Sequence, residues 1–282
     1  MTDSSASSTD TPGPSAGEPA ARVVDLTKDY PPSTRALEGV TFDVPTGKLT
    51  SLIGPSGCGK TTTLKIVAGL IPATSGQVIV EGKPVTGPGP ERAFVFQDFA
   101  LLPWATVLRN VAFGLELRGM PKPEREAIAH EYIARTNLTG FEDHYPHQIS
   151  GGMRQRAGLA RALAVNADIL LMDEPFASVD EQIRRTFQED LLRLLAVERK
   201  TVLFVTHSIE EAVYVSDQIV ILTRGPGRVT NVVRPRIPRD GTPDEIRRSQ
   251  PYLDAVEAIW TELRGYAEED VHIGTGRGSP AP

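Results

Sequence analysis

The sequence contains almost no cysteine. Cys58 is the only one among 282 residues, so the chain can form no internal disulfide framework, and its composition suits a reducing compartment. Cys58 lies inside a glycine-rich loop, where we expect a small buried side chain rather than a redox group. A disulfide-stabilised secreted fold is therefore excluded.

Long hydrophobic runs are missing as well. No apolar stretch approaches the roughly 18–20 residues needed to span a bilayer. The first segment, residues 1–21, is rich in Ser, Thr, Pro and Ala, and it lacks the basic-then-apolar order of a secretory signal. We expect a disordered leader there. The chain is expected to be soluble by itself, so that any membrane role would come through a partner.

Charge of one sign is not strongly in excess either. The formal net charge is −6, which argues mildly against broad nucleic-acid binding, and we expect no nucleic-acid partner. The hydrophobic fraction of 40% is enough for a substantial core. The composition thus suits one large globular domain with appendages.

Strand-like and helix-like segments alternate along the chain. The strand patterns cover residues 22–26, 40–44, 77–80, 93–96, 169–172, 202–205 and 219–222, and the helix patterns cover 107–117, 123–137, 152–165 and 180–196. Such alternation predicts an α/β core with a mainly parallel, buried sheet, an N-terminal antiparallel β portion and an inserted helical subdomain at about 99–164. A C-terminal helical extension at 237–266 and a disordered tail at 267–282 are expected to follow.

The strongest motif is the sequence Gly-Pro-Ser-Gly-Cys-Gly-Lys-Thr at residues 54–61, here called the phosphate loop. It follows an apolar strand pattern and opens into a helix pattern, which is the context that a phosphate-binding loop requires. Its glycines allow backbone N–H groups to point at phosphate oxygens, Lys60 adds a charge, and Thr61 can place its hydroxyl on Mg²⁺. The alternative is a glycine-rich turn with a solvated lysine.

Two adjacent acids end another buried strand pattern. Asp173 and Glu174 follow the apolar residues 169–172. Ligands of parallel α/β sheets bind beyond the carboxyl ends of the strands, so both acids should face the same crevice as the phosphate loop. Neighbouring side chains on an extended chain point in different directions. Asp173 can then hold Mg²⁺, while Glu174 can take a proton from an attacking water. An acidic helix start is the alternative.

The third motif is Ser150-Gly151-Gly152-Met153-Arg154-Gln155. Alone, it could simply begin a helix with a serine cap. Combined with the phosphate loop and Asp173-Glu174, it resembles the signature of the ATP-binding-cassette (ABC) ATPases, with Ile149 and Val179 where that family usually has leucine. The resemblance covers about residues 22–236, the expected ABC ATPase domain. It implies a P-loop NTPase core, with ATP and Mg²⁺ as cofactors.

Other family positions follow in the right order along the chain. Gln97 stands at the place of the glutamine loop, Ser178-Val179-Asp180 at the aspartate loop, His207 at the switch histidine and Tyr30 at the adenine-stacking aromatic. Taken singly, Tyr30 could be an ordinary strand aromatic, His207 a helix-capping histidine and Gln97 a loop amide. The resemblance implies catalysis by Glu174, His207, Gln97 and Lys60, and Mg²⁺ binding by Thr61, Gln97 and Asp173. It implies nucleotide binding by Tyr30, Gly54, Pro55, Ser56, Gly57, Cys58, Gly59, Lys60, Thr61, Thr62, Ser150, Gly151, Gly152 and Asp180.

The resemblance also implies partners. ABC ATPases pair head to tail, so that each ATP lies between one copy's phosphate loop and the other copy's Ser150-Gly151-Gly152. With one ATPase cassette and no membrane span, the chain would need separate integral membrane permease subunits, and through them a solute-binding protein, at the cytoplasmic face of the cell membrane. Residues 87–92, 101–104 and 225–229 look like the nitrate/sulfonate/taurine importer branch.

Two other classes of function stay open at this stage. A soluble ABC ATPase acting in DNA repair or on ribosomes would carry a long coiled-coil insertion or a second cassette, which the sequence does not show. A scaffold that binds ATP without hydrolysing it would not need Glu174, Gln97 and His207.

Overall fold

The computed structural model of the chain describes residues 18–177 and 181–274. Its strands are β1 (Ala21–Tyr30), β2 (Thr34–Val44), β3 (Leu49–Ile53), β4 (Ser75–Val80), β5 (Lys83–Pro84), β6 (Arg92–Val95), β7 (Ile169–Asp173), β8 (Thr201–Val205), β9 (Gln218–Leu222) and β10 (Val229–Val233). Its helices are α1 (Lys60–Val67), α2 (Val107–Leu117), α3 (Lys122–Arg135), α4 (Gly151–Ala164), α5 (Glu181–Glu198), α6 (Ile209–Val215), α7 (Pro243–Arg248) and α8 (Gln250–Gly274).

The central sheet has six strands in the order β10-β9-β3-β8-β7-β6. All neighbouring pairs from β9 to β6 are parallel, and only β10 is antiparallel to its neighbour. Every residue of β3, β7, β8 and β9 is buried, which is why these strands read as continuous apolar runs. The predicted parallel core is present, and it brings the ends of β3, β7 and β8 to one edge.

A second, antiparallel sheet with the order β2-β1-β4-β5 contains the N-terminal strands. It packs with α1 against one face of the central sheet, whereas α5 and the helices α2–α4 share a core with the opposite face. Successive residues of the buried strands therefore point into two different cores: Leu171 and Leu203 into the first, Leu170 and Val202 into the second.

Helices α2, α3 and α4 lie between β6 and β7 in the chain and contact one another. Thr106 caps α2 and Ser150 caps α4, each with a side-chain oxygen that accepts a backbone N–H three residues later. Because these helices share their apolar faces, including Ile133 and Leu159, they hold the start of α4 on a helical layer outside the sheet.

The chain ends differ from the predicted boundaries. Strand β1 starts at Ala21, and both Ala20 and Ala21 are buried, so the ordered sheet begins just inside the segment predicted as leader. Helix α8 continues to Gly274 rather than ending near 266, since Ala267, Glu268 and Glu269 are good helix formers that extend it. The remaining predicted leader (1–17) and tail (275–282) lie outside the described residues. Within the described ranges, no helix is both long and apolar enough to cross a bilayer.

Candidate active site

The phosphate loop connects the end of β3 to the start of α1. Gly54, Gly57 and Gly59 have φ angles of 153°, 80° and 90°, which residues other than glycine rarely adopt. Close packing adds a second demand: a Cβ atom on Gly54 would lie 2.6 Å from the carbonyl oxygen of Leu222. The N-cap residue Gly59 has no side chain and so forms no cap hydrogen bond. The backbone N–H groups in the first turn of α1 therefore face the loop without a side-chain acceptor from the cap residue. This arrangement suits an anion.

Lys60 occupies the centre of the phosphate loop. Its side chain is almost buried, and Nζ donates hydrogen bonds to the carbonyl oxygens of Gly54 (2.8 Å) and Pro55 (3.2 Å). Nζ also lies 3.8 Å from Sγ of Cys58, which is fully buried as the sequence indicated. Burial raises the pKa of the Cys58 thiol despite this nearby cation. The ammonium group is therefore held inside the curl of the loop rather than solvated.

Thr61 and Asp173 meet across the crevice between α1 and β7. The Thr61 hydroxyl donates a 2.9 Å hydrogen bond to Oδ1 of Asp173, the last residue of β7. Asp173 is only 7% exposed, and burial raises the pKa of its carboxyl group. A hydroxyl and a carboxylate oxygen at this separation are ligands that Mg²⁺ accepts, so the two residues fit the metal predicted from the sequence.

Glu174 turns away from its neighbour. Its φ angle is 45°, in the left-handed region, and its backbone N–H donates to the carbonyl oxygen of Val205 at the end of β8 (2.9 Å). Its Oε2 atom lies 3.2 Å from Nδ1 of His207, a residue that follows β8. The structure thus brings Glu174 and His207 together, as it does Thr61 and Asp173, and the two acids point to different partners.

The other predicted residues lie around this centre. Tyr30 ends β1, and its hydroxyl lies 3.5 Å from Oγ1 of Thr62 at the start of α1. Gln97 is exposed and lies just past the end of β6. Ser150 caps α4 through a 3.2 Å hydrogen bond from the N–H of Met153, within the helical layer. Asp180, with Ser178 and Val179, lies outside the described residues.

Gln155 forms a contact with the turn after Glu174 that the sequence did not predict. This residue is buried on α4, and its amide Nε2 donates a hydrogen bond to the carbonyl oxygen of Pro175, directly after Glu174. It joins the helical layer to the acidic turn within one chain. A polar residue on the otherwise apolar buried face of α4 was the available signal, but its partner is distant in sequence.

Comparison with known proteins decides the family. The family described as "ABC transporter" matches residues 37–177. An uncharacterized ABC transporter ATP-binding protein of Methanocaldococcus jannaschii is 52% identical over 210 residues, which cover 74% of this chain and 79% of that protein. The chain belongs to the ABC transporter ATPase family. The resemblance drawn from the phosphate loop, Asp173-Glu174 and Ser150-Gly151-Gly152 is thereby confirmed, and the protein is an ABC ATPase.

Further relatives of this ABC ATPase include ATP-binding proteins of importers. The taurine import ATP-binding protein TauB of Chromobacterium violaceum is 48% identical over 204 residues, covering 72% of this chain and 78% of that protein. Among solved structures, a dimeric ATP-binding cassette in a post-hydrolysis state, bound to ADP and phosphate, superposes with a TM-score of 0.68 at 32% identity. The match covers 76% of this chain and 98% of that one. The predicted α/β P-loop NTPase fold and the likeness to the importer branch are confirmed.

Proposed function

We propose that this ABC ATPase is the ATP-hydrolysing subunit of an importer. Two copies bind two ATP molecules head to tail and drive separate integral membrane permease subunits from the cytoplasmic face of the cell membrane. A solute-binding protein delivers the solute, which is nitrate, a sulfonate, taurine or a similar small molecule. The observation that carries the hydrolytic part is the convergence of Thr61–Asp173 and Glu174–His207 at one edge of the sheet.

ATP binding is assigned to the phosphate loop and its surroundings. The N–H groups of residues 54–61 and the N-terminus of α1 hold the phosphates, and Lys60 exchanges its carbonyl partners for phosphate oxygens. Tyr30, which is partly exposed beside Thr62, stacks on the adenine. Burial of Lys60 strengthens its attraction for phosphate because the local dielectric is low.

Hydrolysis is assigned to Glu174. Its carboxylate accepts a proton from the attacking water. His207, whose Nδ1 lies 3.2 Å from Oε2 of Glu174, positions the carboxylate relative to the γ-phosphate. Thr61, Asp173 and Gln97 would hold Mg²⁺, which would supply positive charge beside the phosphates. A general base of this kind contributes roughly 10²–10⁴-fold in rate.

The second half of each site is assigned to another copy of the chain. Ser150, Gly151 and Gly152 begin α4, a 14-residue helix whose N-terminus carries a partial positive charge. In a head-to-tail dimer this turn closes on the γ-phosphate. The superposed ATP-binding cassette is a dimer with ADP and phosphate bound, which supports this assembly.

Coupling to a membrane partner is supported by the segment after Gln97. Trp104 is 71% exposed, and Leu101 and Leu102 beside it are partly exposed, an apolar group that suits a helix from a permease. The names of the taurine import relatives support the importer assignment and the choice of small anionic or zwitterionic solutes.

The decisive experiment is purification of the native complex from membranes in mild detergent. We expect a polytopic membrane protein to co-purify and, after reconstitution with its solute-binding protein, ATP turnover to rise when the transported solute is added. Taurine, an alkanesulfonate and nitrate are the solutes to compare, with Glu174→Gln as the inactive control. Recovery with ribosomes or DNA would overturn the importer assignment, and an inactive wild-type protein would favour a non-hydrolysing scaffold.

A further inference from the structure

A short loop between β9 and β10 lies directly behind the phosphate loop. This loop, residues 223–228 with the sequence Thr-Arg-Gly-Pro-Gly-Arg, is called the hairpin loop below. Thr223 closes it: its N–H donates to the carbonyl oxygen of Arg228 (2.9 Å), and its hydroxyl donates to that of Pro226 (3.1 Å) while accepting from the N–H of Arg228 (3.0 Å). The hairpin loop is therefore held in one shape by its own hydrogen bonds.

Gly227 makes the contact with the phosphate loop. A Cβ atom at this position would lie 2.0 Å from the carbonyl oxygen of Cys58, far inside van der Waals distance. The backbone of Gly227 is fixed to β2 at the same time, because its N–H donates to Ala36 O (2.9 Å) and its carbonyl accepts from Glu38 N (3.0 Å). Gly227 is thus fixed between β2 and the backbone of the phosphate loop.

Leu37 packs against Gly59 of the phosphate loop and against Gly227 of the hairpin loop. It is fully buried, and its Cδ2 atom would lie 2.3 Å from a Cβ on Gly59 and 3.3 Å from one on Gly227. The ion pairs Arg228–Glu38, Glu38–Arg35 and Arg35–Asp29 continue from the hairpin loop along β2 to the end of β1, where Tyr30 stands. One continuous contact path therefore joins the hairpin loop to both the phosphate side and the base side of the nucleotide site.

We propose that the hairpin loop braces the phosphate loop, and that Gly227 is a positioning residue for ATP. The inference rests on the proposed role of the phosphate loop in nucleotide binding. A loop whose N–H groups must converge on phosphate gains affinity from being held in that shape before the ligand arrives. Gly227 provides the close backing through its contact with the backbone of Cys58.

The sequence offers a matched pair of variants for the test. Gly225 and Gly227 both have φ angles outside the left-handed region, so alanine strains neither backbone. At Gly225 a Cβ atom would lie 3.5 Å from Gly57 O, an ordinary contact, whereas at Gly227 it would clash with Cys58 O. Gly227→Ala therefore displaces the phosphate loop and Gly225→Ala does not. Thr223→Val, which keeps the shape but removes the hydroxyl bonds, is a milder variant if Gly227→Ala does not fold.

Two readouts follow. Cys58, the only thiol, reports the position of the phosphate loop without nucleotide. We expect a soluble thiol reagent to label Gly227→Ala at least roughly tenfold faster than wild type, because local displacement exposes a thiol that is otherwise buried. In turnover assays we expect KM for ATP to rise by about tenfold or more, with a smaller change in kcat. This pattern is expected when the variant binds ATP more weakly in the ground state and in the transition state to the same extent. Gly225→Ala should match wild type in both assays.

The outcomes separate the two proposals. Wild-type labelling and wild-type KM in Gly227→Ala would overturn the brace, as would equal effects of both glycine variants. Faster labelling with an unchanged KM would overturn the positioning role of Gly227. If the wild-type protein does not hydrolyse ATP, the proposed function fails, while the labelling comparison still tests the brace. Thr223→Val should change labelling and KM in the same direction by a few-fold, and no change in that variant would contradict the brace.

Discussion

The phosphate loop and the turn Ser150-Gly151-Gly152 both precede helices that begin with a positive dipole end, yet they are built differently. The phosphate loop ends in a glycine N-cap without a side-chain hydrogen bond, and it is packed against Leu37 and Leu222. The turn before α4 has its own serine cap and is exposed or half-exposed. The first leaves the N–H groups at its helix start without a side-chain acceptor, whereas the second is a complete helix start.

That difference indicates how the work is divided. A loop with a buried lysine can bind phosphate within one copy, because the low dielectric around the lysine strengthens its attraction for an anion before any partner arrives. An exposed, capped turn offers little to a ligand from its own chain and becomes useful when a second surface closes over it. We therefore expect changes at the phosphate loop to weaken ATP binding by a single copy, and changes at the turn to affect only the assembled state.

Replacement of Lys60 should have the largest effect. Lys60→Ala removes the buried charge that lies within 2.8 Å of Gly54 O, and we expect ATP affinity to fall by roughly 100-fold or more, since charged hydrogen bonds contribute about 1.5–3 kcal/mol each. Titration with a fluorescent ATP analogue measures this. Lys65→Ala on the same helix, farther from the loop, is the control. Near-normal affinity in Lys60→Ala would break the contrast between an anion site with a buried lysine and an exposed, capped helix start.

Replacement of Glu174 should leave binding intact and stop turnover. Glu174→Gln keeps the size of the side chain but cannot take a proton, so we expect kcat to fall by roughly 10²–10⁴-fold with little change in ATP affinity. Because hydrolysis no longer separates the copies, ATP should hold this variant as a dimer, visible by light scattering. If Glu174→Gln turns over at nearly the wild-type rate, Glu174 is not the base. If it remains monomeric with ATP, the turn before α4 does not close on nucleotide.

The same contrast separates what the sequence reveals from what it does not. The phosphate loop and the pair Asp173-Glu174 are each a continuous stretch of sequence. The residue types in each stretch indicate what it can bind, so both could be located from the sequence. The 3.2 Å pairing of Glu174 with His207 depends on β7 and β8 being neighbours, a fact of sheet order that no local pattern contains. The family resemblance placed His207 in the site, whereas spacing alone left it a helix cap.

The contact between Gly227 and Cys58 could not be predicted from the sequence. Gly227 lies against Cys58 because β9 pairs with β3, and the sequence shows only a glycine-rich turn. The ends of β1 and β2 were also missed. Register shifts between Val23 and Leu26 interrupt the alternation that predicts a strand, so only residues 22–26 of the longer β1 were identified.

Replacement of Ser150 should give an intermediate effect confined to the assembled state. Ser150→Ala removes the cap from Met153 N, which costs about 0.5–2 kcal/mol of helix stability and should lower kcat by roughly tenfold. ATP affinity of the single copy should not change. Thr106→Ala is the matched control, because Thr106 caps α2 in the same way through Arg109 N. If both variants lose turnover equally, loss of a helix cap alone explains the effect and the turn has no special role.

The smallest effect, a shift in unfolding temperature, concerns Asp173. Burial raises the pKa of Asp173 above the ordinary aspartate value of about 3.9, so the folded state binds its proton more tightly than the unfolded state does. Stability from this group is therefore full below the ordinary pKa and is lost as pH rises through the raised folded pKa.

Asp173→Asn removes that loss while keeping an oxygen for the Thr61 hydroxyl. Without nucleotide or Mg²⁺, the variant should melt a few degrees above wild type at pH 7, about 2–4 °C for each kcal/mol, and the difference should vanish near pH 4. Thr61→Val, which removes the donor to the carboxylate, should melt below wild type at pH 7. Adding Mg²⁺ and ATP should reverse the order of Asp173→Asn and wild type, because only the wild-type carboxylate gains a cation. A pH-independent difference, or no reversal with Mg²⁺ and ATP, would show that the buried carboxylate is not kept for a metal ion.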